Sequence, residues 1–204
     1  MNLPFTTKKE VVQLINKYGL STPLVKKALT QAAKSHSKQM RDSGKPYLEE
    51  HIYSIVKELI LNLSKNKYIE DLVVVALLHD TLEDDENFTE KICKDKFPSK
   101  IFNYLKPLTK KKKENIPTLP ERKKYEINKR LNKYIKSAPY VVRIIKLADR
   151  FNSLQCIHIE FGSERFDRYI LETEEIFLPL AKRTSKYYYE KMKKLLKRLK
   201  RLKE

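Results

Sequence analysis

The sequence has few of the residues on which sheet-rich and disulfide-stapled proteins depend. Only 3 of its 204 residues are glycine and only 2 are cysteine. Because tight hairpins need glycine at positive φ, a fold built from many hairpins is disfavoured. Two cysteines are too few for a disulfide framework, and a reducing cytoplasm is the compartment that we expect. Abundant Lys, Leu, Glu and Ile favour or tolerate helix, so we expect an all-α fold.

Long apolar stretches are missing as well. The sequence contains no run of about 18 uninterrupted apolar residues, so we expect no transmembrane helix. Residues 1–10 lack the apolar core of a signal peptide. Hydrophobic residues nevertheless make up 41% of the chain, which is enough for residues 1–204 to form a single domain with its own core.

The charge of the chain is strongly one-sided. A formal net charge of +18 favours anionic partners such as phosphorylated small molecules, nucleic acid or acidic membrane. Residues 182–204 are very basic and carry leucines along one side, which predicts an amphipathic C-terminal helix. Contact of this helix with RNA or membrane is an open alternative, but we favour a helix that packs on the domain and leaves its basic face wet.

Apolar spacing predicts several helices. The first contains Val11 and ends near Tyr18, and a second begins with Thr22 as its cap and Pro23 at its first position, then runs towards Met40. After a Gly-Pro turn at 42–46, further helices are expected at about 48–59, 122–135 and 140–155. The run 72–78 is apolar on all sides and rich in valine, which suits either a buried strand or a buried helix. Because other strand candidates are lacking, we expect a buried central helix.

The strongest chemical signal follows this apolar run, in the hexapeptide from His79 to Asp84. On a continuous helix Glu83 lies one turn from His79, and Asp84 lies one turn from Asp80. An adjacent imidazole and carboxylate can hold a divalent transition metal, and two further carboxylates can orient or deprotonate a water. The alternative interpretation is that His79 caps the helix and the acidic residues are solvated.

Two further residues can be added to this group. Asp149 interrupts the apolar stripe of the helix at 140–155, and a buried carboxylate is costly unless it is paired or bound to metal. A salt bridge with a neighbouring cation is the alternative. His51 follows the Gly-Pro turn and, taken alone, would be structural. With His79 and Asp80, these residues form a plausible ligand set of two imidazoles and two carboxylates.

The motifs together resemble the HD hydrolase domain of the RelA/SpoT alarmone enzymes, and also the stand-alone small alarmone hydrolases such as the metazoan SpoT homologue. The likeness spans about residues 28–155. The residues that carry it are, in chain order, Ala33, His36, Gln39, the run Arg41 to Tyr47, His51, the run Ala76 to Asp84, the run Leu108 to Lys110 and the run Lys146 to Arg150. An isolated His-Asp pair is a weak signal, whereas five elements in the family's order are specific.

The resemblance implies an HD-domain helical bundle that holds manganese or another divalent transition metal. It implies hydrolysis of the 3′-pyrophosphate of (p)ppGpp to GDP or GTP and pyrophosphate, with Glu83 and Asp84 activating the attacking water. The implied metal ligands are His51, His79, Asp80 and Asp149. The candidate substrate-binding residues are Arg41, Lys45, Tyr47, Arg150 and Ser153.

The sequence also departs from the family's pattern. The spacing from Pro-Tyr to the first ligand is one residue longer, which leaves Glu50 and His51 as candidates, of which we favour His51. At Ser153, Gln155 and Cys156 the family prefers Asn, Arg and Thr, which help to hold the nucleotide. Two alternatives therefore stay open. One is an HD phosphohydrolase for another phosphorylated nucleotide, such as NADPH or a nucleoside phosphate, and the other is a non-enzymatic nucleotide- or nucleic-acid-binding protein.

Overall fold

Helices make up most of the part of this chain that the structure describes. The computed structural model describes residues 4–110, 118–157 and 161–201, and these ranges contain no β-strand. The predicted all-α class is therefore confirmed. Within the same ranges, no helix is long and apolar enough to span a membrane. The chain divides into two compact units after Lys110, so the prediction of a single domain stays a prediction.

The N-terminal unit, residues 4–110, is built around one buried helix, α4. Helix α4 contacts α2, α3 and α7. The elements of this unit are α1 Lys8–Lys17, α2 Pro23–Ser35, the π-helical turn π1 Leu48–Ile52, α3 Tyr53–Leu63, α4 Ile69–Leu78, α5 Thr81–Asp84, α6 Glu90–Lys96 and α7 Ser99–Leu105.

Helix α4 is the predicted central helix. Every residue from Asp71 to Leu78 is buried. Its three valines are helical although β-branched side chains restrict the helix backbone slightly. That cost is a few tenths of a kcal/mol per residue, whereas burying each apolar side chain contributes about 1.5–3 kcal/mol. Burial on all sides therefore decides in favour of helix, as predicted.

Helix α2 begins as predicted but ends earlier than predicted. The hydroxyl of Thr22 accepts the N–H of Val25 at 3.2 Å, and Pro23 occupies the first helical position. The expected continuation towards Met40 is wrong, because α2 ends at Ser35. The chain then turns back on itself, with an isolated β-bridge between residues 40 and 46 and a positive φ of 76° at Gly44.

The C-terminal unit, described over 118–157 and 161–201, is also helical. Its elements are α8 Glu121–Ile135, α9 Tyr140–Cys156, α10 Glu164–Glu172, the π-helical turn π2 Thr173–Phe177, α11 Leu178–Thr184 and α12 Lys186–Arg201. The helices expected at 122–135 and 140–155 agree with α8 and α9 to within one residue at each end. Helix α12 packs against α9 and α11.

Helix α12 begins four residues after the start expected for the basic C-terminal helix. Ser185 has an extended backbone, with φ −154° and ψ 111°, and separates α12 from α11. The apolar side chains of Met192, Leu196 and Leu199 are buried, while lysines along the opposite side are exposed. Leu202 lies outside the described residues.

Candidate metal and catalytic site

Three side chains of the N-terminal unit converge where α4 ends. His51, His79 and Asp80 each offer one ligand atom, and these atoms lie within 4.8 Å of one another. Nε2 of His79 lies 3.0 Å from Oδ2 of Asp80, and Nε2 of His51 lies 3.5 Å from the same oxygen. Both imidazoles are buried, and the carboxylate is half-buried. The structure thus brings together three of the four side chains that were expected to hold a metal.

The imidazole of His79 is held in the orientation that a metal ligand needs. Its Nδ1 lies 2.8 Å from the carbonyl oxygen of Ala76. Because a carbonyl oxygen only accepts, Nδ1 carries a proton, and Nε2 is the nitrogen that faces Asp80 and is available to a metal. Two imidazole nitrogens and a carboxylate are donors that suit Mn, Fe or Zn. The donor set therefore fits a divalent transition metal.

The prediction that His79 and Asp80 share one continuous helix with the acids that follow is wrong. Helix α4 ends at Leu78, and the short helix α5 begins at Thr81. The hydroxyl of Thr81 donates to the carbonyl of Leu78 at 2.6 Å, and Nδ1 of His79 donates to the carbonyl of Ala76. These side chains use carbonyls that a continuing helix would need for its own ladder. The backbone N–H of Asp84 still donates to the carbonyl of Asp80 at 2.9 Å.

Asp80 is held as a carboxylate by the groups around it. Burial raises the pKa of its carboxyl, but the imidazoles of His79 and His51 more than offset this and hold the pKa well below its ordinary value. The hydroxyl of Tyr47 donates a hydrogen bond to Oδ2 of Asp80. Burial, together with the nearby charge of Asp80, raises the pKa of Tyr47 well above its usual range. Tyr47, which was predicted to bind substrate, thus contacts Asp80, a candidate metal ligand.

The two acids of α5 have different partners. Oδ2 of Asp84 accepts a hydrogen bond from Nε2 of Gln39 at 3.0 Å. Burial and then the charge of Asp80 raise the pKa of the Asp84 carboxyl above its ordinary value. Oε2 of Glu83 accepts the backbone N–H of Lys110 at 3.0 Å. Of these two acids, Asp84 has the partly buried carboxylate with a raised pKa, which is the type of group that acts as a general base.

Glu50 and His51, both candidates for the first ligand position, face different partners. The carboxylate of Glu50 is 1% exposed and accepts a hydrogen bond from the hydroxyl of Ser43. His51 faces Asp80, so the geometry favours the imidazole as ligand. Both residues lie in π1, where the N–H of Tyr53 donates to a carbonyl five residues earlier. A π-helical turn holds one residue more than an α-helical turn, and here it accommodates the longer spacing noted in the sequence.

Two cations lie on the turn that precedes π1. The guanidinium of Arg41 lies 5.7 Å from the ring centre of Tyr47. Nζ of Lys45 lies 5.3 Å from the ring centre of Phe5, and the carbonyl of Lys45 accepts the N–H of Arg41 at 2.8 Å. Both side chains are half-buried. The predicted substrate residues Arg41, Lys45 and Tyr47 thus belong to one turn, and its tyrosine contacts Asp80.

Asp149 lies on α9 in the C-terminal unit and is paired there. Its Oδ2 lies 3.2 Å from Nζ of Lys146, and its Oδ1 accepts a hydrogen bond from the hydroxyl of Ser153 at 3.5 Å. The salt bridge considered as the alternative for Asp149 is therefore present. Its role as a metal ligand, and the role of Ser153 in substrate binding, stay predictions.

Arg150 is bound within the core of the C-terminal unit. Its Nη2 lies 2.5 Å from Oε2 of Glu172, which has no solvent exposure. The guanidinium also lies 4.5 Å from the ring centre of Tyr169 and 4.2 Å from that of Phe177. These contacts give Arg150 a structural partner that the sequence did not indicate, and its predicted role in substrate binding stays a prediction.

Sequence reasoning assigned no role to three polar residues that the structure places against the site residues. His36 and Gln39 entered the sequence analysis only through the resemblance, and Ser43 entered it through the resemblance and as a turn residue. Gln39 contacts Asp84, His36 contacts Gln39, and Ser43 contacts Glu50. A usable signal was the concentration of polar residues on either side of the Gly-Pro turn, close in sequence to His51.

Comparisons with known proteins relate the chain to proteins with an HD domain. A family model described as "HD domain" matches residues 28–185. A GTP pyrophosphokinase of Myxococcus xanthus is 32% identical over 161 residues, which are 78% of this chain and 20% of that protein. A guanosine-3′,5′-bis(diphosphate) 3′-pyrophosphohydrolase of Aquifex aeolicus is 27% identical over 176 residues, which are 86% of this chain and 24% of that protein. The chain thus spans about a fifth to a quarter of the length of these relatives.

A solved structure has the same fold. It is described as a metazoan orthologue of SpoT that hydrolyses ppGpp and plays a role in starvation responses. The match has a TM-score of 0.72 at 18% identity and covers 87% of this chain and 96% of the other. These matches confirm the predicted resemblance to the RelA/SpoT HD domain, and the chain belongs to the HD domain family.

Proposed function

We propose that this protein is a metal-dependent phosphohydrolase that removes the 3′-pyrophosphate of (p)ppGpp and gives GDP or GTP and pyrophosphate. The observation that carries the proposal is the cluster of His51, His79 and Asp80 with the carboxylate of Asp84 one turn further along the chain. The name of the Aquifex aeolicus relative and the description of the metazoan structure support this substrate.

The metal would be held by His51, His79 and Asp80, with Asp149 as a fourth ligand on the strength of the resemblance. Manganese is the metal that we favour, and the nitrogen and oxygen donors suit it. A bound divalent cation supplies polarisation of a phosphoryl oxygen and lowers the pKa of water.

Residues of the chain itself would activate the water and position the groups around it. Asp84 takes the proton of the attacking water, because its carboxylate has a raised pKa and is held by Gln39. Glu83 is the second carboxylate, and its bond to the N–H of Lys110 holds the residues that follow α7 against α5. The oxygen of water adds to phosphorus, the bond from phosphorus to the ribose 3′ oxygen breaks, and that oxygen takes up a proton.

Cations of the turn at 41–47 suit the phosphates of the substrate. Arg41 offers a planar fork of donors that matches phosphate oxygens, and Lys45 adds a second positive charge. In the C-terminal unit, Arg150 and Ser153 keep their predicted role in holding the nucleotide. We expect the protein to work in a reducing cytoplasm, and Cys93 and Cys156 are both buried.

Contact of the basic C-terminal helix with nucleic acid or acidic membrane is not part of the proposed function. An amphipathic helix that lies on a membrane buries its apolar face in the lipid. In α12 that face, with Met192, Leu196 and Leu199, is already buried in the protein. Its exposed lysines are therefore best explained as a solvated surface.

The decisive experiment measures release of pyrophosphate from ppGpp by the purified, manganese-loaded protein, with His79→Ala as the control. Release that disappears in the variant supports the proposal. No release from a protein that has bound metal would refute ppGpp as the substrate, and NADPH and nucleoside phosphates would then be assayed. Nucleic-acid binding that survives His79→Ala and weakens with salt would instead support the non-enzymatic alternative.

A further inference from the structure

A chain of hydrogen bonds leads from the end of α2 to the carboxylate of Asp84. His36 follows the last residue of α2, and its imidazole is 1% exposed. Nδ1 of His36 lies 2.6 Å from Oε1 of Gln39, and Nε2 of Gln39 donates to Oδ2 of Asp84 at 3.0 Å. The same Nδ1 lies 3.9 Å from Oδ2 of Asp84, too far for a direct hydrogen bond.

We propose that His36 is a positioning residue, which fixes the carboxamide of Gln39 so that its amino group holds the carboxylate of Asp84 in a single orientation. The inference rests on the proposed function, because Asp84 acts as the base only there.

The direction of each hydrogen bond follows from chemistry. An ionised carboxylate has no proton and only accepts, so the amide nitrogen of Gln39 must face Asp84. The amide oxygen then faces His36, and it also only accepts. In the neutral imidazole of His36 the proton is therefore on Nδ1.

The other nitrogen of His36 does not anchor the ring. Nε2 of His36 is buried and has no hydrogen-bond partner among the residues that the structure describes. Leaving a buried polar atom unpaired costs about 1–3 kcal/mol. A purely apolar ring would avoid this cost and could also pack against the ring of Tyr47, whose centre lies 5.3 Å from that of His36. The hydrogen bond from Nδ1 to Gln39 is therefore what an imidazole adds at this position.

A second connection from α2 to α5 provides a matched control. The hydroxyl of Ser35 donates to Oδ2 of Asp85 at 2.6 Å, and Nε2 of Gln31 donates to that hydroxyl at 3.0 Å. This connection starts next to His36 and ends next to Asp84, but it does not touch the carboxylate of Asp84. Ser35→Ala therefore loosens the same pair of elements without releasing the base.

Two substitutions of His36 separate positioning from packing. The amide nitrogen of asparagine takes the place of Nδ1, whereas that of glutamine reaches the place of Nε2. In pyrophosphate release from ppGpp with manganese, we expect His36→Asn to keep kcat within about threefold and His36→Gln to lower kcat roughly 10- to 100-fold, with KM and manganese affinity unchanged. Ser35→Ala should retain kcat and lose thermal stability.

Equal losses of kcat in His36→Asn and His36→Gln, or a loss that appears in KM or in manganese affinity, would overturn the proposal. The tautomer of His36 in the unmodified protein is a second test, which needs neither substrate nor a folded variant. Long-range ¹H–¹⁵N correlation should show the proton on Nδ1, and a proton on Nε2 overturns the proposal. If the unmodified protein does not hydrolyse ppGpp while Nδ1 is protonated, the proposed substrate has failed and the hydrogen-bonded chain has not.

Discussion

His51 and Glu50 are neighbours in the sequence, but their side chains face different partners. Nε2 of His51 lies 3.5 Å from Oδ2 of Asp80, whereas the carboxylate of Glu50 is buried against the hydroxyl of Ser43. The π-helical turn π1 places them in this way. The two adjacent residues can therefore be distinguished by experiment.

We expect His51→Gln to lose manganese binding and Glu50→Gln to keep it. The first substitution removes an imidazole nitrogen from the ligand cluster, while the second retains an oxygen that can accept from Ser43. Isothermal titration with manganese measures both, and circular dichroism shows whether each variant is folded. Loss of manganese in a folded Glu50→Gln, with retention in His51→Gln, would assign the ligand position to Glu50.

Asp84 is expected to determine the acid limb of the rate profile. Its pKa is raised above the ordinary value of 3.8, and a base acts only when it is deprotonated. The rate should therefore fall as the pH is lowered through this raised pKa. Asp84→Asn should lower kcat by roughly 10²- to 10⁴-fold, as loss of a general base does. Steady-state assays across pH measure both effects.

Asp85→Asn is the matched control for Asp84→Asn. Asp85 follows the last residue of α5; its Oδ2 accepts from the hydroxyl of Ser35 and its Oδ1 accepts from the N–H of Asn87. Asparagine keeps one oxygen for the N–H of Asn87 and turns its amide nitrogen to the Ser35 hydroxyl, which can accept as well as donate. We expect kcat within a few-fold of the unmodified protein. If the two variants lose kcat equally, Asp84 supports α5 structurally and is not the base.

A helix could be predicted from the sequence where a single local feature, such as a capping residue or an apolar run, determines it. Thr22 and Pro23 define the start of α2 through a cap and a fixed φ, and the apolar run at 72–78 becomes helix because burial dominates. The end of α2 and the break after Leu78 could not be predicted in this way. The break after Leu78 depends on the hydroxyl of Thr81, which donates to the carbonyl of Leu78 only in the folded chain. The turn after α2 closes through a β-bridge between residues 40 and 46, which likewise forms only on folding.

The part of the site that depends on residue types and their spacing along the chain could be predicted from the sequence. His51, His79 and Asp80 were expected as ligands and lie together. The pairing of Arg150 with Glu172 had no sequence signal, because the two residues are 22 positions apart and belong to different helices. Neither a motif nor a helical repeat relates such residues.

The predicted fourth ligand can be tested by metal affinity. If Asp149 binds the metal, Asp149→Ala should weaken manganese binding by at least about tenfold, a loss at the low end of that seen even when residues supporting a ligand are changed. Lys146→Met is the control, since it removes the cation 3.2 Å from Asp149 and keeps the carboxylate of Asp149. Unchanged manganese affinity in a folded Asp149→Ala would rule out Asp149 as a metal ligand.

Glu172 is expected to be the most stabilising charge of the C-terminal unit. It has no solvent exposure and accepts hydrogen bonds from Arg150 at 2.5 Å, Arg168 at 2.9 Å and Asn128 at 2.7 Å. Because removing one partner leaves a buried charge uncompensated, Glu172→Gln should lower the free energy of unfolding by about 3 kcal/mol at pH 7. Glu174→Gln, which breaks a half-exposed pair with Lys200, should cost less than about 1 kcal/mol.

The effect of Glu172→Gln should also depend on pH. Burial raises the pKa of the Glu172 carboxyl, but the charges of Arg150 and Arg168 more than offset this and lower it below 4.5, the ordinary value. Stability from a lowered carboxyl pKa is fully present above the unfolded value and is lost as the pH falls through the folded value. Urea unfolding should therefore show a constant difference between Glu172→Gln and the unmodified protein above pH 4.5, which narrows at lower pH. A difference that persists unchanged into strong acid would mean that packing, and not charge, accounts for the loss.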